Sequence, residues 1–125
     1  MRGTISFWHM QGLCFMNLEQ FLSPDHKSPR NMWVSFPGFA ELYVRKGPYY
    51  IQEHKKRPET IQLANFTAEK EGHGTFRRLI NFLEKNYPEL VIVVECVQTE
   101  RLKSICHHMG FEQINIDSGL HFVKF

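Results

Sequence analysis

The 125-residue sequence has few of the features that indicate a specialised class of protein. Its three cysteines, Cys14, Cys96 and Cys106, are far apart and form no Cys-x-x-Cys pair, which indicates neither a disulfide framework nor a zinc ribbon. Reduced thiols are typical of a cytoplasmic protein. The longest apolar run, at residues 90–94, is far shorter than the roughly 18 residues of a membrane span, so we expect no membrane partner.

Charge of one sign is also scarce, because 15 Lys and Arg residues against 13 Asp and Glu residues leave a net charge of +2. Domains that bind nucleic acid usually carry a larger excess, so a nucleic-acid partner is not expected. The basic run at residues 55–57 is either a solvated hairpin tip or a group that steers an acidic substrate or RNA. His107 and His108 point about 100° apart on a helix and cannot share an ion, so no metal site is expected.

The composition, with 42% hydrophobic residues, is typical of one globular domain over residues 1–125. In the first half the predicted elements are a strand at 4–8, a short helix at 17–21, a loop at 22–31, and strands at 32–36, 40–45, 49–53 and 60–66. The last four strands are short, alternate apolar with polar residues and end at Gly or Pro turns, which is typical of an antiparallel meander.

The second half alternates helices with strands. Helical spacing of Phe76, Leu79, Ile80, Leu83 and Tyr87 predicts a helix over residues 74–86. The apolar run at 90–94 predicts a central strand, Thr99 and Gly110 bound a second helix, and residues 120–125 form a last strand. A right-handed crossover makes strands 60–66 and 90–97 parallel, so the predicted fold class is α/β with a mixed, mostly antiparallel sheet.

The segment Thr67-Ala68-Glu69-Lys70-Glu71-Gly72-His73-Gly74-Thr75 joins a strand to a helix and carries the strongest chemical signal. Two glycines permit positive φ and close backbone approach, and the first helical turn offers unpaired N–H groups. These groups suit the diphosphate of a nucleotide-like cofactor, although an ordinary tight turn has the same pattern. The dinucleotide fingerprint and the phosphate loop of NTPases are both absent.

Gly72-His73-Gly74, the following strand, Thr99-Glu100-Arg101 and Gly110-Phe111 together resemble the Gcn5-related N-acetyltransferase (GNAT) superfamily over residues 40–125. The family motif has Arg or Gln where this chain has Glu69. The resemblance implies two splayed central parallel strands, acetyl-coenzyme A as cofactor, and a pyrophosphate held by backbone amides. The cofactor-binding residues that it implies are Asn65, Phe66, Thr67, Gly72, His73, Gly74, Thr75 and Thr99.

By the same resemblance, the expected activity is direct transfer of an acetyl group to a primary amine on a small molecule or an exposed protein site. Glu95 or Glu41 would act as a base through water, and Cys106 occupies the position of the family's Tyr acid. The structural alternatives are a solvated strand face for Glu41, an Arg ion pair for Glu95 and a core position for Cys106. A rival function is a non-catalytic module of the same fold that contacts protein or nucleic acid.

Two further groups of residues keep alternatives open. Arg77 and Arg78 either meet the phosphates of coenzyme A or face solvent. The sequence has 11 Phe residues, and the aromatic residues assigned to the core are Phe7, Trp8, Phe15, Phe36 and Phe39, whereas an exposed surplus of aromatic residues would indicate a homodimer face.

Overall fold

The structure is a computed structural model that describes residues 16–24, 28–95, 97, 99–116 and 119–125. The described residues form one seven-stranded sheet and three helices. The strands are β1 (Met16–Asn17), β2 (Asn31–Ser35), β3 (Phe39–Pro48), β4 (Glu59–Ala68), β5 (Val91–Val94), β6 (Glu112–Ile116) and β7 (Gly119–Lys124), and the helices are α1 (Leu18–Leu22), α2 (Thr75–Asn86) and α3 (Glu100–His108). The strand predicted at residues 4–8 lies outside the described residues.

The sheet is mixed and mostly antiparallel, as predicted, with the order β1-β2-β3-β4-β5-β7-β6. Three of the four strands of the predicted meander are confirmed, because β3 pairs antiparallel with both β2 and β4. The two central strands β4 and β5 are parallel and are joined through α2. β7 then pairs antiparallel with β5 on one side and with β6 on the other.

The core has two parts because successive side chains of a strand point to opposite faces of the sheet. On one face Ile61 and Leu63 of β4 belong to a large cluster that includes Leu79, Ile80 and Leu83 of α2. Full burial of each such side chain contributes about 1.5–3 kcal/mol. On the other face a smaller cluster forms from Ile51, Val91, Val93, Ile114 and Val123. β5 is buried on both faces, as its apolar run predicts.

The predicted strand at residues 49–53 is wrong. The chain reverses after Ile51, which forms only an isolated bridge with Lys56, and Lys55 adopts a positive φ of 52°. Ile51 is nevertheless buried, because it covers the smaller apolar cluster as part of a turn and not as part of a strand. Its apolar neighbours produced the misleading alternation.

The sequence analysis also missed β6. This strand forms a hairpin with β7, in which Ile114 lies opposite His121. Glu112 and Gln113 are exposed, and Ile114 is buried against the smaller cluster. A five-residue edge strand that begins with two exposed polar residues leaves too weak an alternation to be recognised without its partner.

The parallel strands β4 and β5 part at a defined point, which we call the fork. Their pairing ends at Leu63 and Val94, and the last hydrogen bond joins the Glu95 N–H to the Leu63 carbonyl at 3.1 Å. On the other side of β4, Leu63 pairs with Val44 but Asn65 pairs with Tyr43, so Ala64 is an extra residue. Such a bulge bends its strand and increases the local twist. Beyond it, residues 64–68 continue beside β3 alone among the described strands.

In the part of the chain that the structure describes, no helix is both long and apolar enough to cross a membrane.

We expect Gly38→Ala to destabilise the fold, because Gly38 joins β2 to β3 at a φ of 93° and an added Cβ would lie 2.8 Å from Thr75 Cγ2. Gly110→Ala is the matched control, because Gly110 has a φ of 86° but its Cβ would meet only the flexible end of Lys124. Urea unfolding should show a loss of about 2 kcal/mol or more for Gly38→Ala and about 1 kcal/mol for the control. Equal losses would contradict the proposed packing of this turn.

Candidate functional site

The loop before α2 places backbone donors at the start of the helix. Gly72 and Gly74 both have positive φ, at 79° and 72°, as two glycines at this junction allow. Gly74 is the N-cap and provides no side-chain hydrogen bond to the first turn. The N–H groups of that turn therefore keep their capacity to bind an anion, and the helix dipole favours negative charge there. We call residues 72–75 the cradle.

Arg78 holds the cradle in place from the second turn of α2. Its Nη1 donates to the His73 carbonyl at 2.5 Å, and its Nη2 donates to Thr75 Oγ1 at 3.3 Å. The neighbouring β2–β3 turn supports the same loop, since the Glu69 N–H donates to the Gly38 carbonyl at 2.8 Å. The sequence left Arg77 and Arg78 either at the phosphates of coenzyme A or in solvent. In the structure Arg78 contacts the loop itself, and Arg77 lines the cleft beside it.

An open cleft of about 690 Å³ lies against the cradle. It is bounded by the end of β4, the 69–74 loop, the first turn of α2 and one side of α3. The lining residues are Phe39, Phe66, Thr67, Ala68, Lys70, Glu71, Gly72, Gly74, Thr75, Phe76, Arg77, Thr99, Arg101, Leu102, Ser104 and Ile105. Three of them are cationic and one is anionic, so the formal charge of the lining favours an anionic ligand. Glu69 is not among the lining residues.

Apolar groups form the inner part of the cleft. Phe66 of β4 stacks on Phe76 of α2 with ring centroids 5.6 Å apart, and Phe39 meets Phe66 edge-on at 6.0 Å. On the other side, Thr99 Oγ1 accepts a hydrogen bond from Leu102 N–H at 3.2 Å and so caps α3, as predicted. The cap fixes the first turn of α3, which carries Arg101 into the cleft. The lining therefore combines aromatic rings with cationic side chains.

Most of the residues predicted to bind a cofactor lie together in this cleft. Phe66, Thr67, Gly72, Gly74, Thr75 and Thr99 all line it. Asn65 and His73 do not, and both are exposed. Sequence reasoning did not single out Lys70 or Arg101 as ligand-binding residues. Lys70 could have been recognised from the sequence, because it is a basic residue close to the paired glycines. Arg101 could not, because its position in the cleft depends on how α3 packs.

None of the three predicted catalytic residues is among the residues that line the cleft. Glu95 lies at the fork, is only 14% exposed and accepts a hydrogen bond from Arg45 Nη1 at 2.5 Å, so the expected ion pair is present. Glu41 is exposed on β3 and meets Thr67 Oγ1 at 3.5 Å. Their roles as bases stay predictions.

Cys106 occupies a core position. Its side chain is fully buried in the large apolar cluster, and burial raises the pKa of its thiol to about 12. A thiol that holds its proton so firmly and does not line the cleft is poorly suited to supply a proton there. The structural alternative for Cys106 therefore fits its surroundings better than the acid role.

A polar group lies on the sheet face opposite Ile61 and Leu63. Gln62 and Thr60 of β4 and His121 of β7 are buried there, and Tyr49 Oη lies 3.5 Å from His121 Nδ1. Burial lowers the pKa of His121, while the negative charge of Glu95 acts in the opposite direction. The register of β5 with β7 extends to place Glu95 opposite His121. Sequence reasoning missed Gln62 and His121 because nothing local distinguishes them from other strand residues.

Comparison with known proteins adds little to this description. No protein-family model and no curated protein matches the chain. A chain from the crystal structure of a KacTA-DNA complex aligns with it at 14% identity and a TM-score of 0.48. The alignment covers 67% of this chain and 56% of that one, so it spans little more than half of the KacTA chain. A similarity this low carries no argument about function.

The burial of Cys106 predicts a pH dependence of stability. The ordinary thiol pKa is 9.0 and the folded value is about 12, so the folded state keeps a proton that the unfolded chain loses above pH 9. The Cys106 contribution to the free energy of unfolding is therefore complete below pH 9 and decreases between pH 9 and 12, by at most about 1.4 kcal/mol per pH unit. Urea unfolding of the wild type and Cys106→Ala from pH 8 to 10.5 measures this contribution. The difference between their free energies of unfolding should decrease above pH 9, and a constant difference would contradict a neutral buried thiol.

Proposed function

We propose that the protein is an N-acetyltransferase that moves an acetyl group from acetyl-coenzyme A to a primary amine in the cytoplasm. The observation that carries this proposal is the fork between β4 and β5 beside a cationic cleft that ends in the cradle. An extended arm with a phosphate group at one end has the shape and charge for this combination. The resemblance of the Gly72-His73-Gly74 segment to the GNAT cofactor motif supports the same ligand.

The residues present fit acetyl-coenzyme A. Backbone amides of residues 72–75 suit the pyrophosphate, and a side chain at Gly72 would be crowded by Arg101, since a Cβ there would lie 3.3 Å from Arg101 Nη2. Lys70, Arg77 and Arg101 supply cations for the remaining phosphate charge. Phe66 and Phe76 offer an apolar wall for the pantetheine arm. When bound, this cofactor supplies an activated thioester carbonyl.

The chain itself needs only to orient the reactants, stabilise the developing oxyanion and accept the proton of the amine. At the fork, β4 beyond Leu63 carries backbone N–H groups near Asn65 and Phe66, and the proposal assigns the oxyanion donor to them. Glu95 is the better placed of the two carboxylates, because it directly follows β5 where the strands part. Its carboxylate would accept the amine proton through water. Cys106 has no role in this scheme.

The second candidate is a binding module that has the fold without the chemistry. The ion pair of Glu95 with Arg45 and the buried thiol of Cys106 favour it, because one expected base is already paired with a cation and the expected acid is enclosed in the core. Such a module would contact another protein or a nucleic acid. A third possible partner is a second copy of the same chain. Cofactor binding and thiol release separate the two functions.

Titration calorimetry with acetyl-coenzyme A should detect binding to the wild type, and Gly74→Trp should weaken it at least about tenfold by filling the cradle. Gly110→Trp is the matched control, because Gly110 also has positive φ but lies outside the cleft lining. The control should bind as the wild type does. No heat with the wild type at about millimolar cofactor would refute the enzyme and favour the binding module.

If acetyl-coenzyme A binds, a thiol-release assay over a panel of primary amines tests the reaction. The expected result is release that depends on both the amine and the cradle, and that survives Cys106→Ala. Glu95→Gln should decrease kcat by about a hundredfold while leaving acetyl-coenzyme A binding unchanged, because general base catalysis typically contributes that much. Binding without release from any amine would favour the module.

A further inference from the structure

Gln62 has a buried side-chain oxygen that lacks a hydrogen-bond donor among the described residues. The residue is 7% exposed, and its Nε2 donates to Thr60 Oγ1 at 3.0 Å. Thr60 in turn donates to the Gly47 carbonyl at 2.8 Å, which fixes the direction of the amide. No described residue donates a hydrogen bond to Gln62 Oε1. A buried acceptor left unsatisfied is unfavourable, so Gln62 Oε1 is a candidate to accept a hydrogen bond from a bound ligand.

Gln62 lies beside the fork on the same face of the sheet as Glu95. It pairs with Val93 of β5, and Glu95 follows two residues later on the same side of the strand. Its antiparallel partner on β3 is Arg45. To reach Glu95 from β3, the Arg45 side chain must cross β4, since neighbouring strands are about 4.8 Å apart. Arg45 therefore extends across the sheet over the position of Gln62.

We infer that Gln62 and Glu95 form the subsite for the acceptor amine, on the face of the sheet opposite the cleft. The role of this subsite in a reaction rests on the proposed acetyl transfer. The two side chains present only acceptors at this point, Gln62 Oε1 and the Glu95 carboxylate, and a primary ammonium group supplies two or three N–H donors. The amine would therefore satisfy the buried oxygen and replace one cationic partner of Glu95 with another.

Arg45 then acts as a competitor for the subsite. Its side chain is 42% exposed, so moving into solvent costs it only a partly exposed ion pair and its contact with the Tyr43 ring, 5.7 Å away, while Glu95 stays only 14% exposed at the fork. The titratable groups on this face include Tyr43, whose ring lies beside Arg45, and His121 and Tyr49, and none of the three brings a second positive charge when His121 is neutral. The ligand chemistry is thus a cation with N–H donors, and not an anion attracted by Arg45.

Two small cations test this subsite without any need for catalysis. Methylammonium carries N–H donors, whereas tetramethylammonium has the same charge and none. We expect methylammonium to shift the side-chain amide signals of Gln62 in ¹⁵N NMR spectra of the full chain at neutral pH, with tetramethylammonium producing no such shift. The signals are assigned by their loss in Gln62→Leu. Equal shifts with both cations, or none with methylammonium, would overturn the inference.

Variants sharpen this experiment. Gln62→Leu should weaken methylammonium binding by about fivefold, which corresponds to the loss of one ordinary hydrogen bond. In this variant, binding is followed by the NMR signals of other residues at the fork. Gln113→Leu, at an exposed glutamine on β6, is the matched control and should change nothing. Arg45→Gln should tighten binding because it removes the competitor. Weaker binding in Arg45→Gln would overturn the competition, and unchanged binding in Gln62→Leu would overturn the subsite.

The failures of this inference and of the proposed function can be told apart. If acetyl-coenzyme A binds and thiol is released but Gln62→Leu leaves the KM of the most active amine unchanged, the subsite is wrong and the acetyltransferase stands. If methylammonium binds selectively but acetyl-coenzyme A gives no heat, the subsite stands as an amine-binding site and the acetyltransferase is wrong. An effect of Gln62→Leu on kcat alone, without one on KM, would also contradict the subsite.

Discussion

The separation of β4 from β5 determines the arrangement of every other part of the candidate site. A parallel pair in the middle of a sheet normally hydrogen-bonds along its whole length, and here pairing stops after Leu63, at the bulge residue Ala64, where a bend of β4 is expected. The bend opens backbone groups that the sheet would otherwise use. It also makes the fork reachable from both faces of the sheet, with the cleft on one face and Gln62 on the other.

The sequence predicted the fold where the pattern was local and strong. The spacing of Phe76, Leu79 and Leu83, the apolar run of β5 and the cap at Thr99 each depend on residues within one element, and all three are confirmed. Residues 49–53 and β6 depend on partners far along the chain. Ile51 is buried by contact with a distant apolar cluster, and β6 exists only as the partner of β7.

The candidate site shows the same division. The paired glycines and Thr99 were recognisable because glycine and cap positions have local signatures. The ion pair of Arg45 with Glu95 joins residues 50 positions apart, and the burial of Gln62 depends on what three strands place around it. Neither is encoded in a short motif. A sequence can indicate an alternative such as an ion pair for Glu95, but the partner is identified only when β3 and β5 are known to flank β4.

The contact of the β2–β3 turn with the 69–74 loop couples parts of the chain that are distant in sequence. The Gly38 carbonyl accepts from the Glu69 N–H, and Gly38 packs against the Thr75 side chain, only when the meander and α2 are docked together. An intermediate that has formed α2 alone would have the glycines without the support that gives them their shape. Ligand affinity at the cradle would then report completion of the whole domain, and any bound anion would shift the folding equilibrium towards the docked state by mass action.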